Sequence, residues 1–390
     1  MSVTYSMPPA VLQVLPKLGA GGVEQGTIDI AKALMGNGYR SLVASQGGTR
    51  VEELMEAGAH HVTLPLASKN PVKILGENTK ALHNLIVEEK ITLVHARSRA
   101  PAWSAYRAAR LAGVPFVTTF HGTYNFSNFA KKWYNSVMVR GARVIAISDF
   151  IKDHILDNYG SYIAQDRITV IPRGIDLSRF DPSAIDEHAV RQWRMDNGIS
   201  LKIALLVMPG RLTRWKGHSE VLRAFSCLVP GSAHLAIIGD HQGRVAYLDE
   251  LQALARTLGV APYVSFLDHT NQMPLVYASA QGVVHASTDA EAFGRVVAEA
   301  QAMGKPCLVS KLGAPKEIVL EDETGWVADP HDPRALYEGL QELLNVSPDR
   351  SDHMAHVARS RVLSLFSLEQ MTGRTLELYK DLLETYHREA

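Results

Sequence analysis

Short apolar segments of strand length alternate along this chain with longer segments of helical periodicity. In the first part of the chain the helical segments lie near 22–36, 71–89, 101–112, 128–140 and 148–159. The predicted strands are at 11–15, 41–44, 61–64, 92–96, 116–120, 144–147 and 168–171. Because continuous apolar strands that alternate with helices are typical of parallel sheets, this part is predicted to be an α/β domain.

The alternation stops at 172–200. This segment contains Pro172, Gly174 and Pro182 within its first eleven positions, and it has five acidic residues overall. We predict a domain boundary there and divide the chain into domains 1–190 and 191–367. The second domain repeats the pattern, with strands at 203–208, 234–238, 263–266, 282–286, 307–309 and 326–328. Its helices are predicted near 217–228, 244–258, 271–279, 294–303, 315–320 and 333–344, and residues 350–390 are predicted to be helical without a further strand.

Composition excludes several classes of protein. The chain has 40 Lys and Arg against 40 Asp and Glu, so net charge gives no attraction to nucleic acid. Its two cysteines, Cys227 and Cys307, exclude a disulfide scaffold and a cysteine-rich zinc site. No apolar run approaches the roughly 18 residues of a membrane span, and the N-terminus lacks signal-peptide character. We therefore expect a cytoplasmic protein, with contact at a membrane surface left open.

Glycines cluster between the first strand and its helix, at Gly19, Gly21 and Gly22. Such a cluster lets backbone amides approach an anion at a helix N-terminus. A dinucleotide fingerprint would need its third glycine at Glu24, so a nicotinamide or flavin enzyme is disfavoured. A flexible turn without a ligand explains the cluster equally well.

His121 directly follows the predicted strand 116–120. Ligands of open parallel sheets bind at the carboxyl ends of the strands, where an imidazole can donate or accept a hydrogen bond. A loop-capping or solvated histidine is the commoner alternative.

Two cations, Arg211 and Lys216, follow the first strand of the second domain. Arginine can chelate phosphate oxygens and lysine acts as a point charge, so the pair suits a diphosphate. A solvated basic loop is the alternative, and the flanking Gly210 and Gly217 favour function.

The most informative local segment follows strand 282–286. It contains Glu291, Phe293, Gly294, Arg295 and Glu299, with a helix predicted from about Gly294. The exposed amides and partial positive charge of that helix N-terminus suit an anionic leaving group, and the two carboxylates suit hydroxyls beside it. Taken alone, Glu291 fits an acidic helix start and Glu299 a solvated helix face.

Motifs for a bound metal or a serine nucleophile are missing from the sequence, which contains no Asp-x-Asp, His-Glu-x-x-His or Gly-x-Ser-x-Gly. Side-chain cations and helix dipoles would then carry the charge of a departing diphosphate.

Taken in order, these motifs resemble family 4 of the retaining, nucleotide-sugar-dependent glycosyltransferases. The resemblance covers nearly the whole chain. Its carriers are Gly21-Gly22-Val23-Glu24, His121-Gly122, Ala146-Ile147-Ser148, Ile171-Pro172-Arg173-Gly174-Ile175-Asp176, Gly210-Arg211-Leu212, Lys216-Gly217, Ile238-Gly239-Asp240, the Glu-x7-Glu of Glu291 and Glu299, Gly304-Lys305-Pro306, Lys316-Glu317-Ile318 and Thr324-Gly325.

The resemblance implies an α/β protein of GT-B fold, with two Rossmann-like α/β/α domains whose parallel sheets face across a deep cleft. The final helix, 368–390, would pack on the N-terminal domain. The implied reaction moves a hexose-type sugar, with retention, from a nucleoside diphosphate sugar to a glycan or lipid-linked acceptor in bacterial lipopolysaccharide or exopolysaccharide synthesis. No cofactor, metal or nucleic acid partner is implied.

The resemblance implies a role only for those residues of this chain that match a functional position of the family. Arg211 and Lys216 would bind the donor diphosphate, Glu299 the ribose hydroxyls and Glu291 the donor sugar. His121 would touch the sugar near the reacting carbon. The backbone of the remaining positions would contact sugar or phosphate, namely Gly21, Gly22, Phe293, Gly294 and Arg295.

The chain departs from the family pattern at Arg173, where many relatives have asparagine. Arg173 is either a phosphate or acceptor contact or a hinge salt bridge, and we favour the second. Residues 126–137 mix aromatic residues with two lysines. They are either a membrane-contacting amphipathic helix at the inner face of the cytoplasmic membrane or an ordinary core stripe, which we favour. A nucleotide-sugar epimerase or hydrolase of the same fold and a non-catalytic sugar-nucleotide-binding protein remain alternatives.

Overall fold

The structure is a computed structural model that describes residues 8–19, 21–68, 70 and 72–389. The chain forms two compact units. The first comprises the described residues up to Gly174 and those from Leu368 onward, and the second is Ile175–Ser367. The division therefore falls within the 172–200 segment, before residue 190.

The first unit contains a parallel seven-stranded sheet of order β3-β2-β1-β4-β5-β6-β7. Its strands are β1 (Ala10–Val14), β2 (Arg40–Ser45), β3 (His60–Thr63), β4 (Leu93–Ala96), β5 (Phe116–Phe120), β6 (Arg143–Ala146) and β7 (Ile168–Val170). Its helices up to Gly174 are α1 (Gly22–Gly36), α2 (Val51–Glu56), α3 (Asn78–Glu88), α4 (Arg99–Ala112), α5 (Phe129–Asn135) and α6 (Asp149–Tyr159). Shorter turns are Lys73–Glu77, Ser136–Val139 and Gln165–Arg167.

The second unit contains a parallel six-stranded sheet of order β10-β9-β8-β11-β12-β13. Its strands are β8 (Ala204–Pro209), β9 (Ala233–Ile238), β10 (Val264–Leu267), β11 (Gly282–His285), β12 (Cys307–Ser310) and β13 (Gly325–Ala328). Its helices are α7 (Glu187–Asp196), α8 (His218–Phe225), α9 (Val245–Thr257), α10 (Met273–Ser279), α11 (Arg295–Ala302), α12 (Pro315–Ile318), α13 (Pro333–Leu344) and α14 (Pro348–Arg361). Shorter turns are Pro182–Ala184, Arg214–Lys216, Ala261–Tyr263 and Val362–Phe366.

The last helix, α15 (Leu368–Glu389), belongs to the first unit. Four of its residues enter the core formed by β1, α1, β4 and β5, namely Leu378, Tyr379, Leu382 and Leu383. The hydroxyl of Tyr379 lies 2.5 Å from Nδ1 of the buried His95 on β4. This helix therefore completes the core of the sheet that begins the chain.

The predicted strands are confirmed to within two residues at each end. Two helices, α2 and α7, escaped the sequence analysis because α2 buries only Leu54 and α7 only Trp193, which leaves no apolar periodicity to detect. The helix predicted near 128–140 ends at Asn135 and continues as the turn Ser136–Val139.

Strand order places a switch point in each sheet, between β1 and β4 in the first and between β8 and β11 in the second. Loops that leave such neighbouring strands diverge, and the resulting crevice at the carboxyl ends is the usual ligand site of open α/β sheets. Most of the predicted site residues lie at these two positions. Among the described helices, none combines the length and apolar character needed to cross a bilayer.

Candidate functional site

In the second unit, the loops after β8 and β11 bring together a lysine and a glutamate. Lys216 ends the turn Arg214–Lys216, and its Nζ lies 2.6 Å from Oε2 of Glu291. The lysine is 8% exposed, and its Nζ also lies 4.4 Å from the centre of the Trp215 ring. The structure thus pairs two residues that the sequence placed 75 positions apart.

His285, the last residue of β11, is a third member of this cluster. Its Nε2 lies 2.7 Å from Oε2 of Glu291, and the hydroxyl of Ser287 donates to the same oxygen over 3.3 Å. Because a carboxylate only accepts hydrogen bonds, Nε2 of His285 carries a proton. Three donors therefore converge on one oxygen of Glu291.

Glu291 is ionised in this environment. Burial favours the neutral acid, but the charges and hydrogen bonds of His285 and Lys216 outweigh it and hold the pKa of Glu291 well below its usual range. An ionised carboxylate has no proton to give, so Glu291 is a hydrogen-bond acceptor and a fixed negative charge. Its Oε1 has no hydrogen-bond partner among the described residues, which leaves that oxygen available to a hydroxyl group.

The close passage of these two loops depends on Gly217. Its φ of 78° lies in the left-handed region, and a Cβ at this position would overlap the carbonyl oxygen of Ala286. The amide of Thr288 also donates to the carbonyl of Trp215 over 2.8 Å. Only glycine allows the loops after β8 and β11 to pass this closely, and the close passage places Lys216 beside Glu291.

The N-terminus of α11 lies directly after Glu291 and Phe293. Gly294 is the N-cap residue of this eight-residue helix, whose first amides lack intrahelical acceptors and carry partial positive charge. Phe293 is 5% exposed and packs against Phe366, with ring centroids 6.0 Å apart. This packing anchors the segment that leads into the helix.

Glu299 is buried inside α11 and does not lie on a solvated helix face. One oxygen accepts from the hydroxyl of Tyr277 over 2.9 Å, and the other from Nε of Arg295 over 2.8 Å. The glutamate is 4% exposed, whereas half of the Arg295 side chain is exposed. Each carboxylate oxygen keeps a second lone pair for a ligand.

Arg211 does not join this cluster. It is exposed, and no hydrogen bond or ion pair of its side chain is found among the described residues. It lies two residues after the end of β8.

In the first unit, the switch point brings together His121, Arg173 and the start of α1. Nη2 of Arg173 donates to Nδ1 of His121 over 3.2 Å. A Cβ at Gly22 would overlap Nη1 of Arg173, so glycine permits the arginine to lie against the first turn of α1. Gly21 precedes this turn as its N-cap residue. Arg97, which follows β4, lines one cavity together with Gly22, His121 and Arg173.

Sequence analysis missed three residues of these sites: His285, Arg97 and Tyr277. The first two lie at the carboxyl ends of β11 and β4, the same kind of position that singled out His121. A search for polar side chains at the carboxyl end of every predicted strand would have found both. Nothing local marks Tyr277, whose partner Glu299 is 22 residues away.

No group of three or more histidine, cysteine or acidic side chains with the arrangement of a metal site occurs within the described part of the chain. The charged groups described at the two switch points are instead lysine, arginine and separate carboxylates, with histidines beside them.

Two Rossmann-like units, each with ligand-type residues at its switch point, fit the GT-B class of glycosyltransferases, and comparisons with known proteins show this class. Residues 20–179 match the family "Glycosyltransferase Family 4", and residues 190–361 match "Glycosyl transferases group 1". The chain belongs to this family, which confirms the family and the fold class that the sequence predicts.

A crystal structure of a glycosyltransferase from Rickettsia africae is 34% identical, with a TM-score of 0.90 over 97% of this chain and 99% of that one. The D-inositol 3-phosphate glycosyltransferase of Xylanimonas cellulosilytica is 28% identical over 301 residues, which span 74% of this chain and 71% of the relative. Anabaena Alr3699/HepE in complex with UDP-glucose shares the fold, with 21% identity and a TM-score of 0.80 over 95% of this chain and 99% of that one.

Proposed function

We propose that this glycosyltransferase moves a hexose-type sugar, with retention of configuration, from a nucleoside diphosphate sugar to a glycan or lipid-linked acceptor. The observation that carries the proposal is the cluster of Lys216, Glu291 and His285 at the β8/β11 switch point. A fixed carboxylate, a buried lysine and a helix N-terminus meet there, as recognition of a sugar hydroxyl beside a phosphate requires.

The donor diphosphate is held by positive charge from three sources. Arg211 is exposed and unpaired among the described residues, Lys216 keeps two further N–H groups beyond its bond to Glu291, and the first amides of α11 are open to an anion. The UDP-glucose complex of Alr3699/HepE supports a donor of this chemical class. Glu299 receives the ribose hydroxyls on the remaining lone pairs of its carboxylate.

Glu291 binds a hydroxyl of the donor sugar through Oε1, because Oε2 is already held by three donors. Because the carboxylate is ionised, it has no proton to donate. Because its Oε2 is held by three donors, we assign it no role as a nucleophile. The nucleoside diphosphate departs on the face where the acceptor hydroxyl attacks, and the leaving phosphate takes the acceptor proton. His121, neutral and half-buried, is the residue of the first unit that the family resemblance assigns to the donor sugar.

We propose that transfer needs no metal ion or cofactor. The cations and helix amides named above supply the charge that a divalent ion would otherwise bring to a departing diphosphate. The test is activity and nucleotide binding in the presence of a chelator.

The acceptor lies at the inner face of the cytoplasmic membrane, as in lipopolysaccharide or exopolysaccharide synthesis. Phe129 is 74% and Trp133 46% exposed on α5, and Lys131 and Lys132 lie between them. The core-stripe interpretation holds for Val137, which is fully buried, and fails for Phe129. Exposed aromatic residues interleaved with lysines suit peripheral contact with an anionic membrane.

Calorimetric titration with UDP, GDP and ADP, first in EDTA and then with magnesium, tests the donor assignment. We expect one nucleotide to bind in EDTA with little gain from magnesium. Absence of binding by all three would contradict a nucleotide-sugar donor. Turnover of the matching nucleotide sugar without any acceptor, at the rate seen with one, would identify an epimerase or hydrolase instead.

A further inference from the structure

A cavity of the second unit opens beside the amino ends of β11 and β12, whereas the proposed donor site lies at the carboxyl ends of β8 and β11. Its wall includes Ala278, shortly before β11, and Lys305, shortly before β12. Its volume is about 350 Å³, at the lower end of the range of roughly 300–1,000 Å³ that is typical of small-molecule sites. None of the residues assigned to the donor lines this cavity.

Most of the cavity wall is apolar. Helix α7 buries only Trp193, and its Val190 stays half-buried in the wall. The apolar residues of the wall are Pro182, Ile185, Val190, Ala278 and Met303. Because burial removes apolar surface from water, such a wall favours a ligand that carries a hydrocarbon group.

Lys305 brings a half-buried cation into this apolar wall. Its Nζ donates to the carbonyl of Ala278 over 3.1 Å, and no carboxylate of a described residue lies within ion-pair distance of it. Burial lowers the pKa of Lys305, with no acidic neighbour acting in the other direction. An ammonium group has three N–H donors, so two of them remain beyond the bond to Ala278.

The other two charged residues of the wall, Glu187 and Arg191, neutralise each other. Nη2 of Arg191 donates to Oε2 of Glu187 over 3.0 Å, and their side chains are 63% and 88% exposed. This pair therefore belongs to the solvent-facing rim of the cavity. The charge of Lys305 is left without an opposite charge among the described residues, and a bound anion would offset the free-energy cost of its burial.

We propose that this cavity binds a small amphipathic carboxylate, with the carboxylate group on Lys305 and the hydrocarbon chain along the apolar wall. A single lysine supplies one positive charge, which matches a monoanion. An anion without a chain would leave the apolar wall in water, and an uncharged chain would leave Lys305 unpaired. The proposal is independent of the proposed function, because it uses no residue of the donor site.

Calorimetric titration of the full chain with octanoate, 1-octanol and acetate tests the proposal. Octanoate combines charge and chain, whereas 1-octanol has only the chain and acetate only the charge. We expect saturable binding of octanoate, about tenfold or more tighter than that of the other two, because each of them loses one of the two contacts.

Three variants locate the binding. Lys305→Met removes the charge but keeps a long side chain, and should weaken octanoate binding about tenfold or more. Lys202→Met changes an exposed lysine of the same unit and should leave the affinity unchanged. Val190→Asp keeps Lys305 and its bond to Ala278 but adds a negative charge to the wall, and should also weaken octanoate binding about tenfold or more. Circular dichroism checks folding, and Val190→Asp decides the question if Lys305→Met does not fold.

Octanoate binding that is weakened in Lys305→Met and Val190→Asp and unchanged in Lys202→Met supports the proposal. Unchanged affinity in folded Lys305→Met or Val190→Asp protein, or no saturable octanoate binding, overturns it. Equal affinities for octanoate and 1-octanol overturn the pairing with Lys305, and equal affinities for octanoate and acetate overturn the role of the apolar wall. Nucleotide titration of the same proteins tests the proposed function separately, because no donor residue is changed in them.

Discussion

Two charged residues at the switch points, Glu291 and Arg97, differ in whether neighbouring side chains pair with their charge. Glu291 lies against Lys216 and His285, so its charge is matched and its position fixed. Arg97 is 5% exposed, and its guanidinium makes no hydrogen bond to any residue that the structure describes. Because neighbouring opposite charges offset the cost of burying a charge, the arrangement around Glu291 indicates preorganisation.

Replacing Glu291 by glutamine tests the role of its charge. The amide keeps the size of the side chain but loses the negative charge that Lys216 and His285 hold in place. We expect transfer to fall about 100-fold, with nucleotide affinity changed less than about threefold, because the proposed function assigns the carboxylate to the donor sugar and not to the diphosphate. Kinetics and calorimetry measure the two effects.

Glu338→Gln is the matched control, since Glu338 pairs with Arg334 on an exposed helix face. It should leave both quantities unchanged. Full transfer activity in the Glu291 variant would rule out a role at the donor sugar.

His218 should make the second unit sensitive to acid. Burial, with the nearby Lys216, lowers its pKa from 6.5 to about 4, and the ring is 1% exposed. The unfolded chain binds a proton as the pH falls below about 6.5 while the folded ring stays neutral, so stability present above that pH is lost toward pH 4. Between pH 7 and 4.5 this one residue should account for about 2–3 kcal/mol.

The measurement is urea unfolding at several pH values, for the wild type and for His218→Phe. The variant should lose less stability on acidification, and His356→Phe, at an exposed position, should behave like the wild type. The same pH slope in wild type and His218→Phe would show that the ring titrates normally in the folded chain.

At the scale of elements, the last helix is part of the first sheet's core although the whole second unit, Ile175–Ser367, separates them in sequence. Helix α15 places Tyr379, fully buried, against His95 of β4. His95 in turn lies 2.7 Å from the hydroxyl of Thr119 on β5 through its other nitrogen. A polar chain thus crosses from the helix to two neighbouring strands inside an apolar core.

Tyr379→Phe should destabilise the first unit by about 1–3 kcal/mol, because it leaves Nδ1 of His95 buried without a partner. Hydrogen exchange of the amides of β4 and β5 reports this unit separately from the other. Tyr386→Phe, at an exposed position of the same helix, is the control and should have no effect. Unaltered protection in the Tyr379 variant would mean that the hydroxyl contributes nothing net to stability.

For the molecule as a whole, the exposed residues of α5 are the part of the surface that we propose contacts a membrane. Phe129 and Trp133 leave apolar surface in water, although Trp133 also stacks on Trp103 with ring centroids 4.7 Å apart. Lys131 and Lys132 add positive charge beside them. Such a combination suits an anionic surface, through both apolar burial and electrostatic attraction.

Phe129→Ser combined with Trp133→Ser should weaken binding to vesicles of phosphatidylethanolamine and phosphatidylglycerol about tenfold or more. Added salt should weaken binding of the wild type as well, since the lysine contribution is screened. Leu111→Ser removes a comparably exposed apolar side chain elsewhere in the unit and should change nothing. Equal vesicle binding by the double variant would remove α5 from the membrane contact.

The sequence by itself determined the elements, the doubled α/β pattern and the family. These properties are carried by contiguous residues: apolar runs set the strands, and the ordered motifs lie within short segments. It also placed His121, Arg211, Lys216 and Glu291 at the carboxyl ends of strands, because that position follows from chain order alone. It left α7 unpredicted because that helix buries only Trp193.

Only the tertiary structure decided which of these residues meet. The pairing of β8 with β11 brings Lys216 and His285 onto one oxygen of Glu291, and the pairing of β1 with β4 places Arg97 beside His121 and Arg173. The exposure of Phe129 and the burial of Glu299 were likewise fixed by packing, since helical spacing is the same for a buried and an open face. Contacts between distant segments depend on strand order and close packing, which no local pattern of residues contains.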